Sequence, residues 1–266
     1  MRNISPQKNK RAEKAVQQTQ LYSVTYAKEI ADSVIRSDIA DYGSVMEVND
    51  SDRNKSTTVQ LIACDTVSAL FLMKDKFPDS KTVILNFASY KNPGGGFIGG
   101  AVAQEEALCM ESFLYNVLSD KKFMENHYEP NRKKLNNGIY GNNHIYSPDI
   151  RFFRDDKSTV SDVITCACPN RSMAIRYNQS LLPELNKAME ERTDTVLYSA
   201  YRHGAECLVL GAFGCGVFRN DPLLVAKSFS SLLEKKYKGI FTSVVFAVPD
   251  ENSRNYRSFS EVFNKE

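Results

Sequence analysis

One stretch of the chain places acidic side chains directly after a nearly bare backbone. It reads Asn92-Pro93-Gly94-Gly95-Gly96-Phe97-Ile98-Gly99-Gly100-Ala101-Val102-Ala103-Gln104-Glu105-Glu106. Five glycines in the seven positions 94–100 let the backbone take positive φ angles and bring its N–H groups close to a ligand, which makes a cradle for an anion or a sugar. Flexible linkers are usually rich in Gly and Ser, whereas this loop is interleaved with Phe97, Ile98 and Val102, so binding is the better reading. Glu105 and Glu106 fall in the first turn of a helix expected to start near Ala103. Acidic residues there often only complement the helix dipole. Next to a glycine cradle they gain a second use: adjacent helical residues project about 100° apart, so one carboxyl can act on a bond while the other holds a hydroxyl.

A second glycine loop reads Leu210-Gly211-Ala212-Phe213-Gly214-Cys215-Gly216-Val217-Phe218-Arg219-Asn220-Asp221-Pro222. Strand, glycine turn and helix N-terminus together form the usual setting for a phosphate or diphosphate, because unpaired N–H groups and the helix dipole both favour an anion. No Gly-Lys-Ser/Thr is present, so this is not a Walker A loop. The dinucleotide fingerprint also fails, since Arg219 stands where its third glycine would be. Phe218 is a candidate platform for a base, set against the commoner role of a loop aromatic as a plug at the edge of the core. A nucleophilic Cys215 would profit from the helix N-terminus. However, His127, His144 and His203 lie in no context that places one as its base, and Cys215 is read as filling a tight space beside the diphosphate.

The elements that must position these loops follow from periodicity. Residues 8–38 predict two helices. Thr57–Ala63 alternates like a strand, Asp65 caps a helix to about Lys76, and Thr82–Ala88 is an apolar run typical of a buried strand. A helix is expected over 103–118, then a surface excursion over 119–162 in which only His144–Ser147 looks strand-like. Order resumes with a strand at Asp162–Cys168, a helix from about Pro183 to His203 closed by Gly204, and a strand at Cys207–Ala212. A helix from Asp221-Pro222 to Tyr237, a strand at Thr242–Val248 and a short C-terminal helix complete the chain. Strands alternating with helices imply a three-layer α/β/α sandwich on a mixed sheet, with a helical extension over residues 1–50 and the main domain over 51–266. Ligands bind such sheets outside the carboxyl ends of the strands, where both glycine loops lie.

Composition narrows the function classes. The 266 residues are 42% apolar and 25% charged, enough to bury a substantial core and inconsistent with wholesale disorder. Lys plus Arg is 34 against Asp plus Glu 32, which argues against a surface built to neutralise duplex nucleic acid. The first thirty residues are basic, with Arg2, Lys8, Lys10, Arg11 and Lys14, and have no apolar stretch. The expectation is a cytoplasmic protein, or a nuclear one in a eukaryote, without a membrane span. The six cysteines stand singly in hydrophobic segments, as reduced core residues do, and a structural metal is discarded.

The Gly94–Gly96 triplet followed after seven residues by Gln104-Glu105-Glu106 resembles the signature of poly(ADP-ribose) glycohydrolases. The surrounding NFASYKNPGGGFIGGAVAQEE, the later LGAFGCGVFRNDP and the TCACPN at Thr165–Asn170 are similar to the microbial type. The likeness runs through essentially the whole chain. It implies a macrodomain-like fold that binds ADP-ribose and hydrolyses the ribose–ribose O-glycosidic bond of poly(ADP-ribose), with ADP-ribose as product and no cofactor. By that resemblance Glu106 is the catalytic acid and Glu105 contacts a ribose hydroxyl. Gly94, Gly95 and Gly96 line the ribose and diphosphate, Ala212, Phe213, Gly214, Cys215, Gly216 and Val217 cover the diphosphate, Phe218 stacks near adenine, and Asn92 and Gln104 also bind substrate. Neighbouring glutamates do not fit the two-carboxylate glycosidase template, so a single glutamate serving as acid and then base is the expected mechanism. Two alternatives stay open: a non-catalytic ADP-ribose reader, and a hydrolase that removes single ADP-ribose groups from protein or nucleic acid.

Overall fold

The structure, a computed structural model, describes residues 5–43 and 46–264. Arg2 of the basic amino terminus lies outside the described residues. Ser5, whose hydroxyl accepts from the Lys8 N–H, and Pro6 in the first turn start α1 (Pro6–Thr25). Helix α2 (Ala27–Arg36) follows, so the two helices expected here form. A three-residue edge strand, β1 (Asp38–Ala40), comes next; it is too short for a period-two pattern to reveal.

The remaining elements in chain order are β2 (Thr58–Ile62), α3 (Thr66–Lys76), β3 (Thr82–Phe87), α4 (Gln104–Met110), α5 (Leu114–Leu118), α6 (Lys121–Phe123) and α7 (Glu129–Lys133), then β4 (His144–Arg154), β5 (Lys157–Cys166), α8 (Arg171–Tyr177), α9 (Leu182–Arg202), β6 (Cys207–Gly211), α10 (Pro222–Glu234), β7 (Ser243–Ala247) and α11 (Arg254–Phe263). The strands form one mixed sheet in the order β1-β4-β5-β3-β6-β7-β2. Pairing is parallel from β5 to β2 and antiparallel across β1, β4 and β5.

Alternation along the strands builds the two outer layers. Val83 and Leu85 of β3 face one side with Leu208, Leu210, Val244 and Phe246, against Val196 of α9, Phe229 of α10 and Phe259 of α11. Ile84 faces the other side with Val163, Val209 and Val245, against Leu70 of α3, Leu108 of α4 and Val117 of α5. Because both faces are covered, the central strands read as continuous apolar runs. The fold is the macrodomain-like α/β/α sandwich anticipated from the sequence.

Two expectations are corrected. The helix predicted over 103–118 is broken between α4 and α5. The Ser112 hydroxyl donates to Leu108 O at 2.6 Å and accepts from the Leu114 N–H at 3.1 Å, while the Glu111 carbonyl accepts from the Phe153 N–H at 2.7 Å. The freed backbone thus pairs with the far end of β4, and Phe113 turns fully into the core.

The stretch 119–162 is likewise no surface excursion. Phe123, Tyr128, Ile145, Ile150 and Phe152 are completely buried, and β4 and β5 form a long hairpin within the sheet. The register shifts between Ser147 and Ile150, so a bulge around Pro148-Asp149 interrupts the alternation by which a strand is recognised.

Helix α1 and strand β1 pack on the main body. The Arg11 Nε donates to Gly100 O at 3.0 Å, and the Gln18 amide donates to Cys109 O at 3.0 Å. A side chain at Gly100, φ +70°, would meet Lys8 O at 2.2 Å. The helix therefore lies directly on the end of the first glycine loop.

Candidate active site

Both glycine loops gather at the carboxyl edge of the parallel strands, as the sheet rule requires. Between the second loop and the start of α4 lies a cleft of about 480 Å³; residues 92–100, Glu105 and Glu106 do not line it, and the two glutamates follow directly on its wall residue Gln104. Its walls come from Asp65, Thr66 and Val67 at the start of α3, from Ala103, Gln104 and Ala107, from Cys168, and from Ala212, Gly214, Gly216, Val217 and Phe218. Val248, Pro249, Ser253 and Asn255, after β7, close the remaining side.

The two glutamates converge on Gly95. A methyl group built there would lie 2.6 Å from Glu106 Oε1 and 2.8 Å from Glu105 Oε2, with φ at +60°. Only glycine fits, and its φ is one that other residues adopt at a cost. The Gly96 N–H donates to Glu106 Oε1 at 2.8 Å. Among the described residues no donor bonds Glu106 Oε2, and Glu106 is part-exposed.

Glu105 is held differently. It is 3% exposed, with Oε2 accepting from the Ser89 N–H at 2.7 Å and Oε1 from the Asn86 amide at 3.3 Å. Burial pushes its pKa up to about 8; the Ser89 and Asn86 hydrogen bonds oppose this and the charge of Glu106 adds to it. Burial thus favours the protonated form of Glu105, the form that can donate to a hydroxyl as well as accept from one.

The other predicted residues divide by what their atoms do. Gly94, φ +61°, packs against Tyr115 and Cys109, and Gly96 against Ala101. Gln104 lines the cleft, but its amide is taken up by the protein: Oε1 accepts from the Phe87 N–H at 2.8 Å, and Nε2 donates to Leu85 O at 2.8 Å and Thr66 Oγ1 at 3.1 Å. It clamps the first turn of α4 to β3 and α3, and so sets where the next two residues point. Asn92 is exposed, and its Oδ1 accepts from Arg132 at 3.4 Å.

In the second loop, Ala212, Gly214, Gly216, Val217 and Phe218 line the cleft, with Val217 76% exposed on its rim. The Phe213 ring is fully buried against Phe87, at 5.6 Å between centroids, so only its backbone is left to face a ligand. Cys215 is outside the cleft lining and its thiol donates to Phe213 O at 3.5 Å. Burial pushes that thiol up to about 12, and burial lowers His127 and His144 to about 4. A thiolate–imidazole pair has no support here. Phe218 stands edge-on to Tyr140 at 6.2 Å, and Tyr140 stacks on Tyr90 at 4.3 Å. An aromatic ladder therefore joins the two loops.

Several site residues were not singled out from the sequence. Asn86 and Ser89 hold Glu105; a polar residue inside the apolar run TVILNFA was the signal for Asn86. The buried Asn220 amide donates to Pro169 O at 2.8 Å, Gly214 O at 3.2 Å and Cys168 Sγ at 3.5 Å. It fastens the second loop to the end of β5. The contributions of α3 and of the turn after β7 follow from the strand-end rule but carry no motif.

No described helix is long and apolar enough to cross a membrane. Residues 5–155 match the family described as microbial-type PARG, catalytic domain. Among solved structures, poly(ADP-ribose) glycohydrolase from Deinococcus radiodurans in complex with ADP-ribose is 34% identical; the match covers 89% of this chain and 98% of that one, with a TM-score of 0.77. The glycohydrolase from Thermomonospora curvata bound to the inhibitor ADP-HPD is 28% identical over 95% of this chain and 99% of that one, with a TM-score of 0.81. No curated protein sequence matches.

Proposed function

The chain belongs to the microbial-type poly(ADP-ribose) glycohydrolase family and is a glycosidase, and from that premise we propose that it cleaves the ribose–ribose O-glycosidic bond of poly(ADP-ribose) to release ADP-ribose, with Glu106 as the single acid/base. The observation that carries this reading is the convergence of Glu105 and Glu106 on Gly95 beside the cleft. Glycosidases with two catalytic carboxylates place them about 5–9.5 Å apart across the scissile bond. Here both arise from one helical turn and lie on the same side of any bond they approach.

The division of labour follows from the hydrogen bonds. Glu106 has one oxygen anchored by the Gly96 N–H and the other free, so it can hand a proton to the departing ribose oxygen and then draw one from water. Glu105 has both oxygens engaged by protein donors, which suits it to fixing a ribose hydroxyl. As the bond breaks, positive charge grows at the anomeric carbon. The ligand's own diphosphate, held along Ala212–Val217, is placed to offset that charge before water attacks.

The test compares wild type, Glu106→Gln and Glu105→Gln on labelled polymer and on mono-ADP-ribosylated protein, with products resolved. General acid–base loss predicts a fall of roughly 100- to 10,000-fold for Glu106→Gln with ADP-ribose affinity retained. A wild-type rate for Glu106→Gln would overturn the assignment. A wild-type protein that binds ADP-ribose but releases none from either substrate would make it a reader.

A further inference from the structure

The cleft ends at Ala103, Gln104 and Ala107 and takes no wall from residues 91–96. The glutamates follow Gln104 of the cleft wall and approach Gly95 and Gly96 of the first glycine loop, so they link the cleft to that loop. Four exposed cations belong to this loop and to the helix end bonded to it: Lys91, and Arg132, Lys133 and Lys134 at the end of α7. Arg132 is fastened to the loop itself: its Nε donates to Lys91 O at 2.9 Å and its Nη2 to Asn92 Oδ1 at 3.4 Å. Among the described residues no carboxylate pairs with any of the four; the nearest acidic residue on the helix, Glu129, forms no ion pair with Lys133.

The chain as a whole carries a formal charge of only +2, so an unanswered group of four cations beside the catalytic loop is a local feature. A guanidinium held by Nε and one Nη keeps its remaining N–H groups free for an anionic oxygen. We propose that Lys91, Arg132, Lys133 and Lys134 form a second anion subsite, which receives the diphosphate of the ADP-ribose unit that stays on the polymer, across the scissile bond from the unit in the cleft. This rests on the polymer-hydrolase reading above. It predicts a preference for polymer over a single ADP-ribose group, because only polymer has a diphosphate on that side.

The experiment measures KM and kcat on labelled polymer over a range of salt concentrations, and ADP-ribose affinity by calorimetry. The proteins are wild type, Arg132→Glu/Lys133→Glu/Lys134→Glu, and the milder Arg132→Gln/Lys133→Gln/Lys134→Gln in case charge reversal disturbs folding. The expected result is a KM for polymer raised roughly ten-fold at low salt, with a shallower salt dependence, an unchanged kcat and unchanged ADP-ribose affinity. Wild-type KM and salt dependence in both variants would overturn the subsite while leaving the hydrolase reading intact. A wild-type protein inactive on polymer would overturn both.

Discussion

Replacing Gly95 by alanine separates the function of the glycine loop from its contribution to stability. The added methyl would lie 2.6 Å from Glu106 Oε1 and 2.8 Å from Glu105 Oε2, both well inside ordinary contact. The clashing atoms are carboxylate oxygens at the ends of side chains, so they yield more readily than backbone would. Glu105 is pinned by Ser89 and Asn86, and Glu106, held only by the Gly96 N–H, gives way first. The folding cost is then mainly that of φ +60° for a residue with a Cβ, about 1–2 kcal/mol, or a fall in Tm of about 2–8 °C. The catalytic cost is separate from this and comes on top of it: displacing the acid by several tenths of an ångström to 1 Å is worth up to about 100-fold in rate. The assay is kcat and KM on labelled polymer beside thermal unfolding and ADP-ribose calorimetry. Gly99→Ala is the control, since nothing lies within 4 Å of its Cβ and its φ is not positive; it should match wild type. If Gly95→Ala kept the wild-type kcat, the carboxylates would not be acting from the positions described, and the argument from convergence would be refuted.

Three further outcomes are expected. Because burial raises Glu105 to about 8, the folded protein holds a proton that the unfolded chain releases near 4.5, so this group makes stability fall as pH rises between those values. Urea unfolding at several pH values should show a slope of up to about 1.4 kcal/mol per pH unit that Glu105→Gln removes; an unchanged slope would contradict the buried, neutral carboxyl. Asn220→Ala deprives three acceptors around the second loop of their donor. It should cost about 1–3 kcal/mol and weaken ADP-ribose binding roughly ten-fold, and Asn220→Asp, lacking the NH2, should not rescue it in calorimetry. At Asp65, burial would raise the pKa, but Arg154 and Ser68 outweigh it and bring it to about 2. The stability that Asp65 supplies is present above its ordinary value of 3.8 and is lost as pH falls through about 2. Arg154→Met should cost about 1 kcal/mol at neutral pH after screening of the half-exposed Asp65 and move acid unfolding to higher pH; an unchanged acid midpoint would count against the clamp.

Much of the site was legible because its chemistry is local. Gly94–Gly96 and Gln104–Glu106 are close in sequence, and Gly95 is needed where the backbone passes within a methyl group's width of two carboxylates. Continuous apolar runs identified the buried strands for the same kind of reason, since a strand covered on both faces has no polar side to display. Legibility failed where a residue's role depends on something distant. Gln104 reads as a ligand contact, yet its amide is consumed by Phe87, Leu85 and Thr66. Phe213 reads as part of the loop surface, yet its ring is in the core. The bulge at Pro148-Asp149 concealed a full hairpin, and the short β1 had no pattern to display.

The amino-acid order alone determined that a glycine cradle would deliver two glutamates at a helix start, at the edge of a covered parallel sheet, because backbone freedom, helix capping and alternation act over a few neighbouring residues. Only the tertiary structure decided that Glu105 is the buried member of the pair, its pKa raised by burial, and Glu106 the one with a free oxygen. That difference comes from Asn86 and Ser89 on the adjoining strand end and from the depth at which α4 is clamped, and desolvation depends on what surrounds a group in space.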